Sequence, residues 1–243
     1  MATFEDTSTT HEGEQHAGNL AGKLNWLRAG VLGANDGIVS VAAIVVGVAG
    51  ATTSTGAIAT AGVAGLVGGA VSMALGEYVS VSSQSDSQKA LIEKERQELL
   101  DDPTAELEEL TRLYEGRGLS RETAETVAQE LTERDALQAH LAMELNIDEG
   151  DVASPWHAAG ASAIAFLSGA ILPVLAILLP PAGLRIPITF VAVLIALAVT
   201  GALGARIGGG SKRRATVRVV VGGAIALAAT YAIGTLLHTG GVA

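Results

Sequence analysis

The residues best equipped for chemistry in this 243-residue chain are carboxylates set one helical turn apart. Glu95 and Glu98 form one E-x-x-E pair, and Glu106 and Glu109 form a second. His140 and Glu144 follow at a spacing of four, with Met143 beside them. At 100° per residue, helical geometry sorts these acids by face. Leu91, Ile92 and Leu99 set the apolar side of the first segment; Glu95 falls within it, Glu98 lies on its edge and Glu93 points away. Leu107, Leu110, Leu113 and Tyr114 do the same after Pro103, placing Glu106 inside, Glu109 near the edge, and Glu108 and Glu115 towards water. Glu130 and Glu133 continue the stripe of His140 and Glu144. Carboxylates converging at a helical interface repel unless a cation or a proton sits between them. Glutamate oxygens with one imidazole suit a divalent first-row ion such as Fe²⁺ or Mn²⁺. The alternative is a solvated acidic bundle with ordinary surface glutamates.

A second set lies in strongly apolar surroundings. Asp36 precedes a stretch, Gly37 to Gly76, without a single charged residue. An ionisable side chain at membrane depth costs about 2.5–3.5 kcal/mol on insertion scales, so it lines a pathway or has a partner. Arg28, Asp36 and Ser40 share one helical stripe, with Asn35 next to it. Gly65, Gly69, Met73 and Glu77 form another at i+4 spacing, where glycine lets a second backbone approach closely. A thioether offers a cation a weak, uncharged ligand, and conduction needs sites an ion can leave.

The elements that must position these residues follow from hydropathy. A membrane-crossing helix needs about 20 mostly apolar residues. Five stretches qualify: Trp26 to Gly50, Ala57 to Tyr78, Trp156 to Leu179, Ile186 to Ala205 and Val217 to Leu237. Between the second and third, Asp86 to Asp151 holds 19 of the 25 acids against seven Lys and Arg, a net charge of −12, whereas residues 152–243 contain no acid. The links at Ala51 to Gly56 and Pro180 to Arg185, and the tail after Leu237, carry one Lys or Arg in total; the basic residues gather on the other side. The positive-inside rule then puts the N-terminus and the acidic block in the cytosol and the C-terminus outside or in a lumen. Five crossings agree with that parity. Within the block, Asp102-Pro103 restarts a helix that ends near Gly116 or Gly118, and Ser120 caps a third running towards Leu145, with a break on the way.

The expected fold is therefore all-α: a five-helix transmembrane protein with a cytosolic three-helix acidic metal-binding domain inserted between spans 2 and 3. Its divisions are a polar N-terminal tail (1–22), spans 1 and 2 (23–85), the acidic domain (86–151) and spans 3 to 5 (152–243). The tail has none of the features of a signal peptide. Without cysteine there is no disulfide, zinc–thiolate or iron–sulfur chemistry. A pI near 4.9 argues against a nucleic-acid partner and for cations. No prosthetic group is expected.

Three stretches carry a resemblance. Gly33-Ala-Asn-Asp-Gly-Ile-Val-Ser40, Ser72-Met-Ala-Leu-Gly-Glu-Tyr-Val-Ser-Val-Ser-Ser-Gln84 and the acidic block between spans 2 and 3 together resemble the vacuolar iron transporter family, over roughly residues 20–238. The resemblance implies a homodimer with its translocation path at the dimer interface, a cytosolic metal-binding domain, and export of Fe²⁺ or Mn²⁺ from the cytosol in exchange for protons. It assigns metal ligation in the membrane to Asp36 and Met73, and in the cytosolic domain to Glu95, Glu98, Glu106, Glu109 and Glu144. Glu77 and His140 join the candidate ligands from geometry; near His140 the family has a methionine. The membrane would be the plasma (inner) membrane in a prokaryote and a vacuolar or other endomembrane in a eukaryote. Two rival functions stand beside this one. A membrane-anchored carboxylate di-iron oxidase would use Glu-x-x-His, whereas the spacing here is His140-x-x-x-Glu144. A non-transporting metal sensor or scaffold would explain the acidic block and leave Asp36 without a role.

Overall fold

The computed structural model describes residues 17–146 and 154–239, with side chains for 30–146 and 154–238. The described residues form seven α-helices and no strand. Five of them contain segments long and apolar enough to cross a membrane. These are α1 (Ala17–Ala51), α2 (Thr55–Asp101), α5 (Pro155–Leu178, continuous through Pro173), α6 (Arg185–Ile207) and α7 (Lys212–Thr239). The expected apolar stretches coincide with them. Between α2 and α5 come α3 (Pro103–Gly116) and α4 (Arg121–His140), the latter followed by one π-helical turn, Leu141–Leu145.

The chain divides into two compact units. One comprises the residues up to Ala74 and from Gly160 on; the other is Leu75–Ala159, so the long α2 contributes to both. In the first unit α1 is the central helix. Its Val41 and Val45 pack with Ile58, Ala70, Phe166, Ala170 and Ile177, while Ile38, Ala42 and Val46 pack with Val193, Leu197 and Leu227. Small residues set these distances. A Cβ on Gly37 would lie 2.2 Å from the Phe166 carbonyl oxygen, and one on Gly169 would lie 2.1 Å from that of Ala34. The α1 and α5 backbones therefore touch directly. The stripe on α2 behaves otherwise: Gly65 faces the Ile44 side chain and Gly69 receives the Phe166 ring. Side chains fill those gaps, in place of the close backbone expected there.

In the second unit Leu110, Ala128 and Ala139 form a small core under Leu107, Tyr114, Leu131 and Met143. The helix boundaries follow the capping signals. Asp102 accepts the Ala105 N–H at 3.0 Å with Pro103 at the first helical position. After α3, Gly118 turns the chain at φ +101°. Ser120 accepts the Thr123 N–H and opens α4. The expected break falls at Asp135, whose φ of −166° and ψ of 95° are non-helical; its carboxylate caps the next turn through the Gln138 N–H.

Candidate metal centre

Three elements of the second unit deliver the buried acids and the imidazole. Glu95 on α2 is 3% exposed and Glu106 on α3 is 9% exposed. His140, the last residue of α4, is fully buried, and Glu144 sits one turn on in the π-helical turn. The His140 Nδ1 atom lies 2.9 Å from Glu95 Oε1, 3.6 Å from Glu106 Oε2 and 4.0 Å from Glu144 Oε2. Donor atoms of Glu95, His140 and Glu144 all fall within 4.8 Å of one another. The shortest of these contacts is not a hydrogen bond. Glu95 Oε1 and both ring nitrogens of His140 are buried without a hydrogen-bond partner. Buried polar atoms are almost always paired. Carboxylate oxygens and an imidazole nitrogen brought together at this range are a donor set that could hold a divalent cation.

The electrostatics match that geometry. Burial, with Glu144 and then Glu106 as charged neighbours, pushes the Glu95 carboxyl up to about 7. Burial likewise raises Glu106, helped by Glu109 and Glu98. Burial lowers His140, so its imidazole is held neutral and keeps a lone pair for a cation. The nearby Lys94 is exposed and pairs with Glu98 at the edge of the acids, at 2.6 Å.

The other candidates are placed as follows. Glu98 and Glu109 are half-buried at the edge of this cluster, and Glu109 adds to the field on both His140 and Glu106. Glu77 is half-buried on α2 in the same unit. In the other unit Met73 is half-buried against the core of Val41 and Phe166. Asp36 is exposed on α1 and accepts a hydrogen bond from Ser40 at 2.9 Å. Arg28 lies outside the described side chains, and with it the expected alignment on Asp36.

Helical geometry is borne out for one pair of acids and corrected for another. Glu108 and Glu115 do face solvent, and there both bind Arg121, with Glu108 gripping it through two nitrogens and Glu125 joining from α4. Glu130 and Glu133 are exposed, away from His140, because the break at Asp135 rotates the last turn of α4 out of register with them. Sequence reasoning also missed Gln88, one helical face with Glu95, whose Oε1 is buried without a partner, and the pair in which Thr200 of α6 donates to Asn35 of α1. A threonine in the apolar run of α6, facing an asparagine in the apolar run of α1, is the signal that points to the latter.

Five apolar helices of spanning length and a cation-attracting helical unit define the class, a multi-pass membrane protein. The model of the VIT family matches residues 27–235. The chain is 44% identical to a vacuolar iron transporter of Acanthamoeba castellanii over 94% of its own length and 84% of the relative's. It is 37% identical to vacuolar iron transporter homolog 1 of Oryza sativa subsp. japonica, covering 92% and 79% of the two chains. It is 33% identical to vacuolar iron transporter homolog 2 of Arabidopsis thaliana, covering 96% and 94%. The chain belongs to the VIT family.

Proposed function

We propose that this protein transports a divalent first-row metal ion, Fe²⁺ or Mn²⁺, out of the cytosol in exchange for protons. The observation that carries the reading is the convergence of Glu95, Glu106 and Glu144 on a buried, neutral His140 whose ring nitrogens have no hydrogen-bond partner. The acidic block, residues 86–151, faces the cytosol and concentrates the ion, with Glu98 and Glu109 at its rim. Relatives named as vacuolar iron transporters support iron as one cargo.

From the cluster the ion passes to Glu77 and then to Asp36 and Met73 within the membrane. The exposed Asp36 supports a path at a dimer interface. Leu32 and Ile44, on either side of it along α1, are exposed apolar residues, so this face meets lipid or protein. A carboxylate there is costly against hydrocarbon, and a second copy of the chain relieves that cost by enclosing a polar path. A carboxyl group so placed holds either a proton or a metal ion, since both compete for the same oxygens. That competition is the physical basis of antiport. Met73 adds a weak ligand that does not trap the ion.

Reconstituted into liposomes, the full chain should take up Fe²⁺ or Mn²⁺ faster when the pH gradient drives protons the other way. Uptake of Fe²⁺, Mn²⁺, Co²⁺ and Zn²⁺ no faster than in protein-free vesicles would refute the reading.

A further inference from the structure

A cleft of about 440 Å³ opens between α1, α6 and the start of α7, wholly within the first unit. Its α6 wall is nearly free of side-chain bulk because Gly201, Gly204 and Ala205 line it. Its other wall is the first two turns of α7, which present Arg214 and Arg218 one turn apart. The Asn35–Thr200 pair also lines the cleft. Residues 152–243 contain no Asp or Glu, and among the described residues neither arginine has an ion pair. Two unneutralised guanidinium groups beside one cavity call for an anion. Planar, always-charged forks suit phosphate oxygens in particular.

The loop entering α7 adds donors. Gly209 takes φ +67°, and Ser211, the residue before α7, lines the cleft. The first N–H groups of α7 lack partners within the helix and favour negative charge. The membrane-spanning helices that form the cleft point to the anion's source. Leu203, Val217 and Val221, on the same stretches of α6 and α7, are exposed apolar side chains. A free phosphate has no use for that surface, whereas the acyl chains of a lipid do.

We propose that this cleft binds the phosphate headgroup of an anionic membrane lipid, held by Arg214 and Arg218, with its chains along Leu203, Val217 and Val221. Basic pockets between membrane helices on the cytoplasmic side are suited to such headgroups. The site rests on the membrane-spanning reading and not on the metal reading, so its failure leaves metal transport standing. A bound headgroup links α7 to α6 and to α1, the helix that carries Asp36.

The test uses the full chain in a neutral detergent, titrated with phosphatidylglycerol, phosphatidylcholine or inorganic phosphate while thermal unfolding is followed. Phosphatidylglycerol should raise the melting temperature saturably, and phosphatidylcholine and inorganic phosphate should not. The Arg214→Gln/Arg218→Gln variant should weaken phosphatidylglycerol binding tenfold or more. Lys212→Gln/Arg213→Gln removes the same charge from the first turn of α7, outside the cleft, and should bind as wild type. Equal losses in the two double variants would overturn the site in favour of diffuse surface charge. Saturation by inorganic phosphate alone would overturn the lipid assignment. Should the first variant fail to fold, Arg218→Gln alone serves: wild-type phosphatidylglycerol retention by native mass spectrometry overturns the proposal, and reduced retention supports it.

Discussion

Replacing Glu95 by Gln tests the metal centre where its physics is sharpest. Glu95 is 3% exposed, and burial with Glu144 and Glu106 nearby moves its carboxyl from 4.5 to about 7. Because that value is raised, the folded state binds the proton more tightly than the unfolded chain. Without metal, its contribution to stability is full below pH 4.5 and is lost as the pH rises to about 7. Above that pH the ionised form costs the folded unit on the order of 3 kcal/mol. His140, lowered by burial, acts the other way: its contribution is lost as the pH falls below its ordinary 6.5. Glu95→Gln keeps the shape and removes the charge. At pH 8 in chelator the variant should therefore protect α2, α3 and α4 amides from exchange better than wild type, by up to roughly 3 kcal/mol. Adding Mn²⁺ at about 100 times its Kd should stabilise wild type by about 2.7 kcal/mol and the variant far less. Hydrogen exchange on the full chain, corrected for intrinsic rates at each pH, reads both effects. A variant that is less protected in chelator, yet gains as much from Mn²⁺ as wild type, would refute the reasoning.

Further outcomes follow from the same geometry. His140→Gln should weaken Mn²⁺ and Zn²⁺ binding about tenfold or more, with the larger loss for Zn²⁺, measured by competition with a fluorescent chelator. Gly169→Ala forces a Cβ to within 2.1 Å of the Ala34 carbonyl oxygen and should lower the melting temperature in detergent through an overpacking cost of about 1–3 kcal/mol, while Gly222→Ala, with open space around it, should not. Arg121→Ala should loosen α3 from α4 in a salt-sensitive way, visible as faster exchange in both helices.

The membrane helices were legible because length and hydropathy alone set the threshold for spanning. The caps at Asp102 and Ser120 were legible because each is a local rule between a side chain and an N–H three residues on. The inward turn of Glu95 and Glu106 followed from apolar neighbours on the same face. Where the geometry went astray, the cause was non-local. Helical extrapolation carried Glu130 and Glu133 towards His140 until the break at Asp135 interrupted the period. Arg121 reaches Glu108 across thirteen residues, a pairing no single-helix projection contains. The exposure of Asp36 was hidden for a different reason: α1 is apolar nearly all round, so its sequence has no polar face to mark which side is left uncovered. The pairing of Arg214 and Arg218 with a cleft likewise depends on the small residues of α6.

The central claim is that Asp36 trades protons for a divalent metal ion inside the membrane. Its most direct test records metal entry and luminal pH together in liposomes that hold the full chain. Wild type should move protons out of the lumen as Fe²⁺ or Mn²⁺ enters, and Asp36→Asn should abolish both signals while metal-induced protection of α2, α3 and α4 persists. Metal flux through Asp36→Asn at the wild-type rate, or wild-type flux with no proton movement, would contradict it.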